Sequence, residues 1–250
     1  MAHLRTFHLF AGAGGGILAD LLLGHIPVGA CEIEPYPRNV LLARQRDGFL
    51  PKFPIWDDVC TLDGKPWRGS VDVLCGGFPC TDISPARKNN HINGKITGLD
   101  GKHSGLWFAF ERVVEEMRTK FVFVENSKNL RTKGLHTILQ NLNRMGYNTR
   151  RCVLGSRDVG ADHWRDRMWI LAYTDKPQLK GRSLSRRVYT KDSYSISPSW
   201  REAESNMERI ADGVASGLDA NWGKRLKAIG NGQDARVAAL AFRILSEGLI

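Results

Sequence analysis

Cys80 stands in the stretch Gly76-Gly77-Phe78-Pro79-Cys80-Thr81-Asp82-Ile83-Ser84, directly after an apolar run at 71–75. A thiol on a loop shaped by glycine and proline, at the edge of a sheet where α/β enzymes keep reactive groups, is a candidate nucleophile once ionised. The alternative is an inert buried cysteine. Cys75, inside the apolar run, suits that alternative, whereas Pro79 holds Cys80 outside the run and a polar loop follows. A second signal is Phe10-Ala11-Gly12-Ala13-Gly14-Gly15-Gly16, in which glycines let the backbone turn sharply and approach a ligand at a helix N-terminus. A nucleotide-like cofactor is the natural guest, and a plain tight turn is the alternative. The dinucleotide fingerprint G-x-G-x-x-G fails, because its last position is Ile17. Glu32 follows Gly12 at the spacing that presents a carboxylate to ribose hydroxyls, which favours an adenosyl ligand. Ile33 is placed to pack on an adenine face and Asp58 to lie near its amino group, with a core contact and a loop cap as the respective alternatives.

These residues must be positioned by the elements around them. Apolar runs at 4–10, 28–32, 71–75, 121–125, 153–154 and 168–172 read as buried strands. Apolar residues at helical spacing mark 17–23, 36–47, 106–117 and 135–145 as helices, with Gly24, Gly48 and Gly146 where C-terminal stops belong. A final helix is predicted over 236–249 after a turn at Gly230-Asn231-Gly232. Strand and helix in alternation imply a doubly wound α/β domain with a largely parallel sheet covered on both faces.

The 250 residues, 42% of them hydrophobic, suffice for one large core with at most a small appendage. A net charge of +10 argues against an acidic chaperone or polyanion mimic and suits a polyanionic partner, nucleic acid first. Over 176–201 seven cationic residues face Asp192 alone, with Tyr189, Tyr194 and Trp200 among them. Aromatics among cations suit a nucleic-acid surface better than a solvated tether. Five cysteines without a C-x-x-C pair indicate neither a disulfide framework nor a zinc ribbon, and no metal is expected. The first 30 residues lack a secretory pattern and no stretch reaches 18 apolar residues, so a soluble, cytoplasmic protein is expected.

Gly77-Phe78-Pro79-Cys80, together with Val124-Glu125-Asn126, resembles the two central motifs of DNA cytosine-5 methyltransferases, in the order and at the distances of that family. The resemblance runs on through the glycine loop, Glu32, Asp58, Ser104-Gly105-Leu106-Trp107, the Arg165-x-Arg167 pair and Gly230-Asn231, and is to a compact prokaryotic or phage-type member. It implies a Rossmann-like fold that binds S-adenosyl-L-methionine and releases S-adenosyl-L-homocysteine, with a small irregular target-recognition region. The division implied is 1–173 for catalysis and cofactor binding, 174–224 for target recognition, and 225–250 returning to the catalytic domain. Cys80 would then attack carbon 6 of a cytosine swung out of double-stranded DNA, because carbon 5 is too poor a nucleophile until electrons are pushed into the ring. Glu125 would assist at ring nitrogen 3, which requires that burial raise its pKa. Arg165 and Arg167, on one face by alternation, would take the cytosine carbonyl and a phosphate. Asn126 would order the Pro-Cys loop. Phe10, Gly12, Gly14, Gly15, Glu32, Ile33, Asp58, Pro79 and Asn231 would hold the cofactor. Arg87 and Lys88, in the glycine-containing run 84–104 read as the closing loop, and Arg186, Arg187 and Arg209 would contact DNA.

Departures from the family pattern are Thr81 for a glutamine, Ser127 for a valine, Asp162-His163 before the arginine pair, and Gly232-Gln233-Asp234-Ala235 for an apolar, proline-containing run. The last bears on closure over the cofactor. The interval 174–222 is short for a target-recognition domain, so a small module, a brief target or a partner subunit would supply recognition. An RNA cytosine-5 methyltransferase and a catalytically weak DNA-binding protein are the rival readings. Monomeric state is expected, and a cognate restriction enzyme is left open.

Overall fold

The short apolar runs become strands of one sheet, and the amphipathic stretches between them become its two covering layers. The computed structural model describes residues 3–79, 106–132, 134–174 and 222–250. Cys80, Arg87, Lys88, Arg186, Arg187 and Arg209 lie outside the described residues, as do the loop 84–104 and the basic run 176–201. In chain order the elements are β1 (Arg5–Leu9), α1 (Gly15–Leu23), β2 (Ile26–Cys31), α2 (Pro35–Arg46), β3 (Ile55–Trp56), β4 (Val73–Gly76), α3 (Leu106–Met117), β5 (Phe121–Ser127), α4 (Leu135–Arg144), β6 (Asn148–Leu154), β7 (Arg167–Tyr173), α5 (Trp222–Asn231) and α6 (Ala235–Ser246).

Among the described residues the sheet has seven strands in the order β3-β2-β1-β4-β5-β7-β6. β1 to β5 pair in parallel, while β7 runs antiparallel to both β5 and β6. The expected parallel sheet is therefore correct except for β7. The topology turns back on itself beside β1 and β4, which start crossovers in opposite directions, and ligands of open α/β sheets bind at such a switch point, outside the strand C-termini.

Both faces are covered. On one, Trp107, Phe110, Val113 and Met117 of α3 and Ile138 and Leu142 of α4 pack on Phe7, Leu9, Leu74, Val122, Val124 and Ile170. On the other, Ala19 and Leu23 of α1 and Leu240, Phe242 and Leu245 of α6 pack on Val73, Phe121, Phe123, Trp169 and Leu171. The alternation Phe121-Phe123 against Val122-Val124 is the period of two that sends successive side chains to opposite layers. Leu41 of α2 closes a smaller cluster with Ile17 and Ala30.

Four elements differ from the sequence-based expectation. β6 spans seven residues rather than 153–154, since as an edge strand it carries Arg150 and Arg151 and offers no continuous apolar run. β3, two residues long, gave no pattern to read. α5 runs through Asn231, so the predicted turn is confined to the residues after it; the basic composition of 222–231 concealed the helix. The last helix starts at Ala235, where the Asp234 carboxylate accepts from the backbone N–H groups of Arg236 and Val237, and stops at Ser246 rather than 249.

Candidate active site

Register puts the sequence-predicted residues on one edge. Leu9, Gly76 and Val124 are partners across β1, β4 and β5, so Phe10, Gly77 and Glu125 all lie just past that line. Because β7 is antiparallel, its first residue, Arg167, pairs with Ser127 at the same edge. Glu125 follows Phe123, and Arg167 precedes Trp169, by two residues, so both point toward the α6 layer.

There Arg167 Nε lies 2.9 Å from Glu125 Oε1, and its Nη1 donates to the Asp166 carbonyl at 3.0 Å. Burial raises the Glu125 carboxyl above its ordinary pKa, and the charges of Arg167 and Arg165 and a hydrogen bond from Gln233 oppose that rise. Glu125, Arg165, Arg167, Trp169, Gln233, Asp234 and Val237 line a small recess. Arg165 is engaged otherwise than expected. Its Nη2 donates to the carbonyls of Gly230 (2.8 Å) and Gly232 (2.5 Å), so in this conformation it straps the C-terminal segment to the edge of the sheet. Burial and the neighbouring Arg167 charge lower its pKa.

The loop leading to Cys80 is fastened from below. Asn126, buried, donates from Nδ2 to the Phe78 carbonyl at 3.2 Å, and Phe78 packs on Trp107 with ring centroids 5.7 Å apart. Pro79 is the last described residue before the nucleophile candidate.

On the cofactor side, Phe10, Gly12 and Gly14 all have positive φ. Gly14 precedes α1 at φ 96°, a conformation that an L side chain rarely adopts, and an added Cβ would also press on Leu41. Gly15 is needed for a different reason, since a Cβ there would overlap the backbone of Gln233. Glu32 is buried, its Oε2 accepting from the Gly12 N–H (2.7 Å) and its Oε1 from the Glu34 N–H (2.8 Å). One carboxylate thus ties the glycine loop to the end of β2. Among the described residues nothing stands within 4 Å of the Gly12 Cβ direction, and Ile33, next to Glu32 in the chain, is 63% exposed. Open space next to a fixed carboxylate and an exposed apolar side chain fits an adenosyl group. Asp58 Oδ1 caps the Cys60 N–H at 2.9 Å, the loop-cap alternative. Asn231 is exposed at the end of α5, and Lys227 of the same helix bridges to Glu34 at 2.8 Å.

Two features escaped sequence reasoning. Gln233 sits between the glycine loop and Glu125: its side-chain oxygen faces Gly16, its nitrogen Gly77. The only signal was the polar departure from the family run at 232–235. Behind the loop is a buried network in which Asp20 Oδ2 accepts from Thr6 Oγ1 (2.6 Å) and lies 2.5 Å from His8 Nε2, with His25 Nδ1 3.8 Å from Oδ1. Burial pushes the Asp20 carboxyl up, but His8, His25 and Thr6 together outweigh it and hold it at about 2. Cys75 lies close enough for donor atoms of His8, Asp20 and Cys75 to fall within 4.8 Å of one another. The short His8–Asp20 contact makes this a closed hydrogen-bonded pair. Its signal was a histidine and an aspartate at positions where an apolar strand and helix predict apolar residues.

The family model for C-5 cytosine-specific DNA methylases matches residues 4–230. The chain is 31% identical over 170 residues to the type II methyltransferase M.CviJI of Paramecium bursaria Chlorella virus IL3A, covering 67% of this chain and 42% of that protein. It is 36% identical over 180 residues to the type II methyltransferase M1.ScrFI of Lactococcus lactis subsp. cremoris, covering 70% of this chain and 43% of that one. It thus spans less than half the length of these two relatives. In fold it resembles a DNA modification methyltransferase encoded in an Escherichia coli prophage, with a TM-score of 0.53 at 21% identity over 68% of this chain and 46% of the other. With the family model matching most of its length, the chain belongs to the C-5 cytosine-specific DNA methylases.

Proposed function

We propose that this chain is a site-specific DNA cytosine-5 methyltransferase in which the Cys80 thiolate adds to carbon 6 of a flipped-out cytosine and Glu125 assists at ring nitrogen 3. The observation that carries this reading is the half-buried Glu125–Arg167 pair at the sheet edge, beside the Asn126-fastened Phe78-Pro79 segment that precedes Cys80 in the chain.

Addition of the thiolate places charge on the ring toward nitrogen 3, and a carboxyl whose pKa is raised by burial can share a proton there. Arg167 orients that carboxyl through Nε, and its Nη2 would donate to the cytosine carbonyl. Arg165, bound to the carbonyls of Gly230 and Gly232, holds the C-terminal segment against the site; entry of DNA would let its fork exchange one of them for a phosphate. Once carbon 5 carries its methyl group, loss of the proton on that carbon and departure of the Cys80 thiolate restore the aromatic ring.

S-adenosyl-L-methionine, when bound, supplies the methyl group. Phe10, Gly12, Gly14, Gly15, Glu32, Ile33, Asp58, Pro79 and Asn231 are the residues assigned to hold it. Glu32, already fixed by two backbone N–H groups, keeps free lone pairs for two hydroxyls. Residues 174–224 are assigned to target recognition, with Arg186, Arg187 and Arg209 on the DNA, and Arg87 and Lys88 to the loop that closes behind the extruded base. The protein would act on double-stranded DNA as a cytoplasmic monomer, alone or beside a cognate restriction enzyme.

The test is mass spectrometry after incubation with S-adenosylmethionine and duplex DNA containing 5-fluorocytosine. Fluorine on carbon 5 cannot leave as a proton does, so the thioether to Cys80 persists. A covalent adduct in the wild type that is absent from Cys80→Ala is expected, and bisulfite sequencing of DNA from expressing cells then reads the target site. A wild type that forms no adduct with DNA of any sequence sinks the proposal, and an adduct with RNA alone moves the substrate to RNA.

A further inference from the structure

Trp164 is 76% exposed, more than any other large hydrophobic side chain among the described residues. An indole in water forgoes a large burial gain, so its position needs a reason. One of its faces is already occupied: the Arg157 guanidinium lies 4.1 Å from the ring centroid, a cation–π stack. Among the described residues no second ring or cation stacks on the indole.

The stack is built on fixed backbone. Arg157 belongs to the 3-10 turn Ser156–Val159, whose Asp158 carboxylate accepts from the Gly155 N–H and whose Ser156 carbonyl accepts from the Ala161 N–H. Trp164 is followed at once by Arg165, pinned to Gly230 and Gly232. It precedes Arg167 by three residues, so at about 3.3 Å per residue it lies within roughly 10 Å of the residue paired with Glu125. The antiparallel course of β7 puts it on the sheet edge that carries the candidate active site. Of the acidic groups nearby, Asp166 is paired with Lys128 at 3.0 Å, Asp158 is taken up in its turn, and Asp162, two residues before the indole, is exposed.

An aromatic ring backed by a guanidinium is a surface on which a nucleobase stacks without regard to sequence. The chain's charge of +10 favours a polyanion over an acid-poor protein partner as the occupant. We propose that the Arg157–Trp164 stack is a DNA-docking platform whose second indole face takes a base or deoxyribose next to the extruded cytosine. This rests on the function proposed above and gives a role to Trp164, which the resemblance leaves without one, between His163 and Arg165.

Fluorescence anisotropy with an end-labelled mixed-sequence duplex measures it. Trp164→Ala is expected to weaken binding by about tenfold, Trp164→Phe to recover most of the loss, and the salt dependence of Trp164→Ala to match wild type because no charge is removed. A second reading needs no variant to fold well: in 5-fluorotryptophan-labelled protein the Trp164 fluorine resonance should shift when the duplex is added. Unchanged affinity in Trp164→Ala, or a resonance that does not move, overturns the platform. The 5-fluorocytosine adduct separates the two readings. An adduct with Trp164-independent binding removes the platform and leaves the reaction, and Trp164-dependent binding without an adduct does the reverse.

Discussion

Glu125 is a carboxyl pulled in two directions. Burial favours its neutral form, while Arg167, Arg165 and Gln233 favour the charged one. The side chain that tunes this balance without carrying charge is Gln233, whose amide lies between Glu125 and the glycine loop. Replacing it with the similarly sized leucine removes one donor to the charged form, so the Glu125 pKa should rise further. A 13C-carboxyl NMR titration of Gln233→Leu against wild type measures this directly, and a midpoint equal to or below the wild-type one contradicts the assignment. Because a raised pKa extends the protonated form to higher pH, single-turnover methylation in the variant should hold its acid-form rate to higher pH as well. That Arg167 belongs to the site was legible in sequence through its spacing from Arg165 and the family resemblance, whereas its pairing with Glu125 was not. The strapping role of Arg165 was not, since its partners are carbonyls 65 and 67 residues away.

At the scale of elements, the glycine loop and the segment between α5 and α6 are packed backbone against backbone. Gly15 permits this, and a methyl group there meets the Gln233 carbonyl with no flexible side chain to move aside. Gly15→Ala should therefore push the C-terminal segment off the loop, lowering stability by roughly 1–3 kcal/mol as overpacking does. It should also abolish the rise in melting temperature expected for the wild type with S-adenosylhomocysteine. Thermal unfolding with and without that ligand checks both, and a normal ligand-induced rise in Gly15→Ala would show that the contact does not shape the cofactor site. Helices α3 and α4 were readable because their apolar residues recur at three and four. β6 and α5 were not, because an edge strand and a basic surface helix have no continuous apolar signal.

For the whole molecule, the central polar feature is Asp20, buried beneath the glycine loop between Thr6, His8 and His25. Its folded-state carboxyl sits at about 2 against an ordinary 3.8. As the pH falls the unfolded chain therefore takes up this proton first. The stability it contributes is present above about pH 4 and is lost between about pH 4 and pH 2, on the order of 2 kcal/mol in all. Urea unfolding across that range should show a steep acid loss in the wild type and a flatter one in Asp20→Asn, which starts from a lower stability at neutral pH. Equal acid slopes in the two proteins would remove Asp20 from the account.

The sequence carried the α/β class, the glycine loop, Glu32, the Pro-Cys loop and the Glu125-Asn126 strand end, because each is written in a local pattern: period two, period three to four, or a fixed run of residue types. Tertiary structure alone set β7 antiparallel between β5 and β6, which brings Arg167 to Glu125 from the opposite chain direction. It also set Gln233 against Gly15, Arg165 on Gly230 and Gly232, and the His8–Asp20 pair under the loop. These are contacts between residues distant in the chain, and what fixes them is the packing of two layers on a common sheet, which no local spacing encodes.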